Sequence, residues 1–324
     1  MKILTFLICL VAVTSCTRDK TPLGASASAS FGFYFLQDES VTLYNVRDEN
    51  VDLTPASTPW LSEKDIDFYD FSSHCIYLKK PKSDLFPGYK NAFELFNAMR
   101  TKPFWVMAGE NRCYLGAFHS GVSSLAAFLP YFDELAFDYF AQDVLPIRRS
   151  WEENDTRQNE TVKSALKRAG LYHAGLSVQL MDIQMLENAD IATIMYDIRI
   201  TNNDVNDLLV LDPDKMGVDL YHYFTIGPVL AHSIKQLNYQ AHHRNVSPPS
   251  ESEDWETAWF SAIKSGQSRS WSITLKGYDK IESGIYDCTF RFANPPRIER
   301  KDRYVGQARY WLGEIGSPKL TITI

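Results

Sequence analysis

The sequence predicts an α+β domain over residues 31–185, followed by an all-β sandwich over residues 186–324. Two observations carry this prediction. Strand and helix signals mix without strict alternation in the first stretch, which is typical of α+β units. From Ile191 onward the apolar runs are short, rich in β-branched and aromatic residues, and bounded by turn residues, which is typical of a sandwich. The chain has 324 residues, enough for two domains of ordinary size.

The N-terminus has the pattern of an export signal. Lys2 precedes an apolar run that ends at Val13 and is shorter than the about 20 residues of a membrane-spanning helix. The tetrapeptide Val13–Cys16 resembles the lipobox of bacterial lipoproteins. The resemblance implies cleavage before Cys16 and acylation of that cysteine, so we expect residues 1–15 to be a signal peptide and Cys16 to be the lipid attachment site. The alternative is an ordinary secretory peptide, with Cys16 as a plain thiol.

Residues 16–30 predict a flexible tether after the lipidated cysteine. They are small and polar and show no apolar period. Such a segment would hold a folded body away from the bilayer, and two or more acyl chains make a stable anchor. Because Thr17 is not acidic, the lipobox resemblance favours the outer membrane of a Gram-negative cell. We therefore expect a lipid-anchored envelope protein that faces the periplasm or the cell surface.

In the first domain, apolar periodicity and turn residues predict the elements one by one. Strands are predicted at residues 31–36, 74–78, 103–108, 112–118 and 145–148. Gly109-Glu110-Asn111 between two of them predicts a hairpin turn. Helices are predicted at residues 92–99 and 159–169. In the second helix the apolar residues share one face, and Gly170 follows where a left-handed cap would lie.

In the second domain the predicted elements are strands separated by turns. They cover residues 191–200, 208–211, 224–226, 259–263, 271–275, 284–292, 308–312 and 320–324. Residues 239–255 form a polar excursion between strands. Ile198–Asn203, Gly266–Ser268 and Ile281–Tyr286 resemble the corresponding segments of immunoglobulin-like domains in bacterial envelope proteins. The resemblance implies an immunoglobulin-like sandwich and specifies no partner.

Composition and cysteine usage exclude several classes of function. The formal net charge of −7 argues against nucleic-acid binding, which needs a basic face. Outside the signal and the lipid site stand Cys75, Cys113 and Cys288, an odd number that implies at least one free thiol. Cys75 and Cys113 could pair, or each could act as a small buried hydrophobe. The Cys and His spacings do not match a zinc site.

The polar clusters of the sequence favour structural roles. His119 lies in a hydroxyl-rich segment, residues 116–124, for which a turn is the stronger prediction than a nucleophile site. The Asp65–Asp70 segment, followed by His74, predicts a solvated loop more strongly than an acid–base pair or a metal site. The adjacent histidines at 242 and 243 are expected to be solvated.

Residues 212–217 begin like an EF-hand loop but depart from it. Met216 occupies the fifth position, and Tyr223 stands at the twelfth, where a bidentate Glu is required. This excludes an EF-hand and leaves open a looser calcium site that would also use Asp204 or Asp207. The sequence contains no HExxH, P-loop, dinucleotide or GxSxG motif.

We therefore expect no catalytic residue, no metal and no cofactor. The leading hypothesis is a non-enzymatic binding or assembly lipoprotein, held to the membrane by its N-terminal lipid, with an unknown protein or glycan partner and no nucleic acid. The alternative is a hydrolase of envelope or extracellular polymers, which would require acids such as Asp65 and Asp70, or His119, to converge in one cleft. A third hypothesis is a part of the export machinery, because the hairpin over residues 104–118 resembles one in the periplasmic domain of a Sec-translocon accessory subunit.

Overall fold

The structure, a computed structural model, describes residues 31–85, 92–120, 123, 126–133, 140–152, 154–242, 256–294, 298 and 300–324. The predicted signal peptide, Cys16 and the tether lie outside the described residues, as do His243 and most of the predicted polar excursion. The described chain is rich in β-structure and forms several sheets. Within these ranges, no helix combines the length and apolar character that crossing a bilayer requires.

The first half of the chain forms a nine-stranded, mostly antiparallel sheet. Its strands are β1 Phe31–Phe35, β2 Leu61–Ser62, β3 Ile66–Asp70, β4 Cys75–Leu78, β5 Pro103–Ala108, β6 Asn111–His119, β7 Tyr131–Asp133, β8 Val144–Arg148 and β9 Tyr172–His173. The order across the sheet is β2-β1-β5-β6-β7-β8-β4-β3-β9. The predicted hairpin is confirmed as β5–β6, with Gly109 at a φ of 64° in its turn.

Three helices accompany this sheet in the described part of the first half: α1 Lys82–Leu85, α2 Ala92–Met99 and α3 Glu160–Arg168. The last two confirm the predicted helices. Asn159 caps α3 by accepting hydrogen bonds from two backbone amides of the first turn, at 2.9 and 3.2 Å. Gly170 has a φ of 70°, and the amides of Gly170 and Leu171 bond back to carbonyls of the last turn. This is the Schellman ending that the glycine predicts.

An aromatic cluster fills the core between the sheet and α3. Phe33 lies 5.9 Å from Phe104 and 6.0 Å from Phe132 between ring centroids, and Phe118 lies 5.3 Å from Phe132. Tilted and edge-on contacts of this kind add to the stabilisation from apolar burial. The helix contributes Val162, Ala165 and Leu166, the residues that its periodicity predicts to be buried.

The second half forms three further sheets and two short helices, α4 Pro213–Met216 and α5 Val218–Phe224. Its strands are β10 Leu176–Asn188, β11 Ile191–Asn202, β12 Leu208–Leu211, β13 Ile226–His232, β14 Asn238–Tyr239, β15 Phe260–Ile263, β16 Ser268–Asp279, β17 Ile285–Asn294, β18 Tyr304–Val305, β19 Ala308–Tyr310, β20 Gly313–Gly316 and β21 Leu320–Thr323. The sheet orders are β10-β11-β16, β15-β12-β19-β18 and β14-β13-β17-β20, with β21 also paired to β17.

Three sequence expectations need revision. The segment predicted as a solvated loop at Asp65–Asp70 is largely strand β3, with Phe68, Tyr69 and Asp70 buried. The predicted domain boundary between residues 185 and 186 lies inside β10, which pairs along its length with β11 and so belongs with the second half. The strand predicted at 224–226 begins only at Ile226, because α5 precedes it.

The two halves share one core along their junction. Phe68, Tyr77 and Val144 of the first sheet belong to the same buried cluster as residues of the second half such as Ile198 and Trp311. Trp311 is fully buried, and its indole nitrogen donates to the Ser72 hydroxyl at 3.1 Å. The halves are therefore packed against each other as one body.

Candidate functional site

A cleft of about 1130 Å³ lies at the junction of the two halves. Its walls come from the turn after β3, the end of β8, the start of β10 and the ends of β17 and β20. Small-molecule pockets commonly measure about 300–1,000 Å³. The cleft is thus large enough for an oligomeric ligand, and both halves contribute residues to its lining.

The cleft carries an excess of positive charge although the whole chain is acidic. Its lining includes the side chains of Arg148, Arg149, Arg157, Arg291, Asp155 and Glu314. The lining therefore has four arginines and two acidic residues. The whole chain, in contrast, has a formal net charge of −7. A concave surface of one sign concentrates ligands of the opposite sign.

Arg157 and Asp155 form a closed pair in one wall of the cleft. The guanidinium donates to both carboxylate oxygens, at 2.8 Å from Nε and 2.6 Å from Nη2, and also to the Ile147 carbonyl. Burial raises the pKa of Asp155, but the hydrogen bonds and charge of Arg157 outweigh burial and hold that pKa below its ordinary value. The two side chains use their hydrogen-bonding groups on each other, so the pair forms part of the wall. The lowered pKa keeps the Asp155 carboxylate ionised.

Glu314 stands between two arginines from different halves. Its Oε2 atom lies 3.7 Å from Nη1 of Arg148 and 3.7 Å from Nη1 of Arg291. Both distances exceed a hydrogen bond, so the carboxylate attracts the two guanidinium groups without occupying their donors. The side chains are 31%, 49% and 43% exposed for Arg148, Arg291 and Glu314, which leaves them accessible to a ligand.

His74 lies buried behind the cleft wall. Its Nδ1 is 2.9 Å from the Tyr69 hydroxyl, and its Nε2 is 2.9 Å from Nε2 of Gln158, which lines the cleft. Because the Gln158 amide nitrogen can only donate, the imidazole Nε2 accepts this hydrogen bond. The proton of the neutral ring is therefore on Nδ1. Burial, reinforced by the charge of Arg157, holds the pKa of His74 well below its ordinary value. The ring is a neutral support for Gln158.

The structure does not bring the predicted polar residues together as a catalytic group. Asp65 accepts from the amide and hydroxyl of Ser62 in a turn, and Asp67 is exposed. His119 is buried on β6 opposite Asp133 of β7, with its ring edge-on to Tyr131. Asp70 is fully buried at the junction. Of these four residues none lines the cleft.

The junction instead holds a buried ionic cluster built around Arg309. Its Nη2 lies 3.2 Å from Asp70 and 3.4 Å from Asp204, and its Nη1 lies 3.2 Å from the Tyr77 hydroxyl. His173 adds a contact of 2.9 Å to Asp204. All three ionised side chains are 0% exposed. The cluster joins the two halves, and its Arg309, Asp70 and Asp204 side chains are not accessible to a substrate.

The remaining predicted sites also have structural roles. Asp212 caps α4 and binds Ser261, Arg269 and Trp271, while Asp207 accepts from the Ser265 amide. Across the described ranges, no group of three or more His, Cys, Asp or Glu side chains could hold a metal ion. His242 contacts Asp279 at 3.1 Å.

The three described cysteines are free thiols. Cys75 and Cys113 do not form the disulfide that the sequence left open. Burial raises the pKa of Cys75 to about 12 and that of Cys288 to about 12. Both therefore stay protonated and behave as small core residues.

Sequence reasoning missed the arginines of the cleft. Arg148 and Arg291 lie on different halves of the chain, so no local pattern connects them. The one local signal is the Arg148-Arg149 pair at the end of a predicted strand. No protein-family model matches the sequence, and no curated protein matches it.

Proposed function

We propose that this protein is a non-enzymatic envelope lipoprotein that binds a polymeric ligand in the cleft between its two halves. The observation that carries the proposal is the large, arginine-rich cleft at the junction of the two halves. The polar clusters that would suggest chemistry are engaged in structural contacts. The cleft is therefore the best-supported place for function.

The anchor in this proposal is a lipid on Cys16. It is supported by the lipobox resemblance, the short apolar run before the cysteine and the small polar residues after it. A tether of this kind would let the cleft reach a ligand beyond the bilayer surface. Placement at the outer membrane is part of the same proposal.

The second half is proposed to be an immunoglobulin-like sandwich with an added small sheet. In chain order, β10, β11 and β16 share one sheet, while β13, β14, β17 and β20–β21 share another, as expected for strands A, B and E against C, C′, F and G. Tyr286 stands two residues before Cys288 on β17 and donates to the Glu282 carbonyl at 2.7 Å. This contact matches the tyrosine corner of such domains.

Binding is favoured over hydrolysis by the state of the carboxylates in the cleft. Among the described lining residues the carboxylates are those of Asp155 and Glu314. A glycosidase needs one acid with a raised pKa, whereas Arg157 holds the pKa of Asp155 below its ordinary value. Glu314 is shared by two arginines. The lowered pKa of Asp155 does not suit a general acid, and the two arginines beside Glu314 suit recognition of an anion.

Blocking the cleft tests the proposal. Gln179 on β10 is exposed and lines the cleft, whereas Gln184 is exposed on the same strand outside it. We expect Gln179→Trp to weaken binding of the purified protein to isolated envelope polymers about tenfold or more, and Gln184→Trp to bind like the wild type. Equal binding by both variants, or release of cleaved products by the wild type, would contradict the proposal.

Replacing the lipidated cysteine tests the anchor. Cys16→Ser removes the thiol that would carry the lipid, so we expect the protein to leave the membrane fraction or to accumulate unprocessed. Cell fractionation and the intact mass of the protein measure both outcomes. A variant that stays in the membrane and is processed normally would show that Cys16 is not the anchor.

A further inference from the structure

The two arginines beside Glu314 are placed so that the carboxylate of a ligand could replace Glu314 as their partner. Arg148 ends β8 of the first half and Arg291 lies on β17 of the second, so each half supplies one arginine beside Glu314. The Nε atom of Arg148 is buried without a hydrogen-bond partner among the described residues. Because the 3.7 Å contacts to Glu314 are too long for hydrogen bonds, an external carboxylate at bonding distance would gain more from these donors than Glu314 does.

The rim of the cleft adds an exposed aromatic ring. Tyr223, at the end of α5, is 44% exposed and stands edge-on to Phe224 at a centroid distance of 4.9 Å. Both residues line the cleft. An exposed ring beside polar groups offers an apolar platform with a wet edge, which suits the C–H face of a pyranose.

Uncharged polar side chains complete the surface. Ser177 and Gln179 are exposed on β10 and lie along the same cleft. Hydroxyl and amide groups can both donate and accept hydrogen bonds, and so can the hydroxyls of a sugar. An acidic peptide would use the arginines but would make less use of the ring and of these paired donor and acceptor groups.

We infer that the cleft binds an acidic oligosaccharide whose carboxylates displace Glu314 and pair with Arg148 and Arg291. This inference rests on the proposed function and names its ligand class. The sugar rings would lie against Tyr223 and the polar face of β10. No bond is made or broken, and Glu314 acts as the competitor that an acidic ligand replaces.

The test uses isothermal titration calorimetry of the full-length protein with a panel of uronic-acid hexasaccharides: galacturonate, mannuronate and hyaluronan. The methyl esters of the same compounds keep the sugar and remove the charge. Hexaglutamate and inorganic phosphate serve as non-sugar anions. We expect at least one acidic hexasaccharide to bind about tenfold more tightly than its ester and than hexaglutamate or phosphate.

Three substitutions identify the groups involved. Arg291→Gln should weaken binding about tenfold, and Glu314→Gln should strengthen it about threefold because the competitor is gone. Arg168→Gln removes an exposed arginine at the end of α3, outside the cleft, and should change nothing. If Glu314 only held the wall in place, its substitution would weaken binding instead, and that result would overturn the inference.

Other outcomes separate this inference from the proposed function. The inference falls if no hexasaccharide of the panel binds, if the esters bind as tightly as the acids, or if hexaglutamate or phosphate binds best. In each case, envelope binding that Gln179→Trp abolishes would still support the cleft as the ligand site. If Gln179→Trp also left envelope binding unchanged, both the inference and the proposed function would be overturned.

Discussion

His74 shows how the interior holds a titratable group neutral. The residue adopts a φ of 53°, and its two ring nitrogens contact Tyr69 and Gln158. Both contacts are made by the uncharged ring. Burial of the ring disfavours its charged form, and the positive charge of Arg157 disfavours it further, so the pKa of His74 is lowered.

The lowered pKa predicts a loss of stability in mild acid. Below about pH 6.5 the unfolded chain gains a proton on His74 that the folded chain does not bind. The free energy of unfolding should therefore fall as pH drops, by up to about 1.4 kcal/mol per unit from this one group. His74→Asn, which keeps a residue type that tolerates positive φ, should show a smaller slope between pH 6.5 and 5.

Urea unfolding at a series of pH values measures that slope. Above about pH 7.5 the ring is neutral in both states, so the curves of the wild type and the variant should run parallel there. An unchanged slope in the variant would mean that another group controls the acid sensitivity.

The residue types in the sequence indicated which apolar side chains are buried, but not which charged side chains pair with each other. The apolar face of α3 was identifiable as core positions. The burial of Asp70 was not, because its partner Arg309 lies 239 residues away and only tertiary structure brings the two together. The cleft arginines were missed for the same reason.

At the scale of elements, prediction succeeded where the signals are local. The cap residues and periodicity of α3, and the glycine turn of β5–β6, lie within a few positions of the elements that they define. β3 was taken for a loop because its acidic residues hid the strand pattern. α5 was missed because it covers only seven residues, between the short helix α4 and strand β13.

The cap of α3 supports a prediction of stability. Asn159 accepts from the amides of Thr161 and Val162 and donates to the Cys113 carbonyl at 3.1 Å. Asn159→Ala removes all three contacts and should lower the free energy of unfolding by about 1–2 kcal/mol. Asn159→Asp keeps the cap and should lose less. Thermal or urea unfolding compares the two, and equal losses would show that the cap oxygen is unimportant.

At the scale of the molecule, the ionic cluster around Arg309 is expected to hold the halves together. Arg309→Met would leave Asp70 and Asp204 buried without their cation, which typically costs about 3–5 kcal/mol. Arg199→Met, at an exposed position, should stay within about 0.5 kcal/mol of the wild type. Urea unfolding gives both values. A loss below about 1 kcal/mol for Arg309→Met would mean that apolar packing alone maintains the junction.

The shared core and the Arg309 cluster have a kinetic consequence for the cleft. We expect them to keep the cleft walls in one arrangement, so that capture of a ligand requires no hinge motion. Association should then follow a single exponential whose rate rises linearly with ligand concentration. Differences in affinity among related ligands should reside mainly in their residence times.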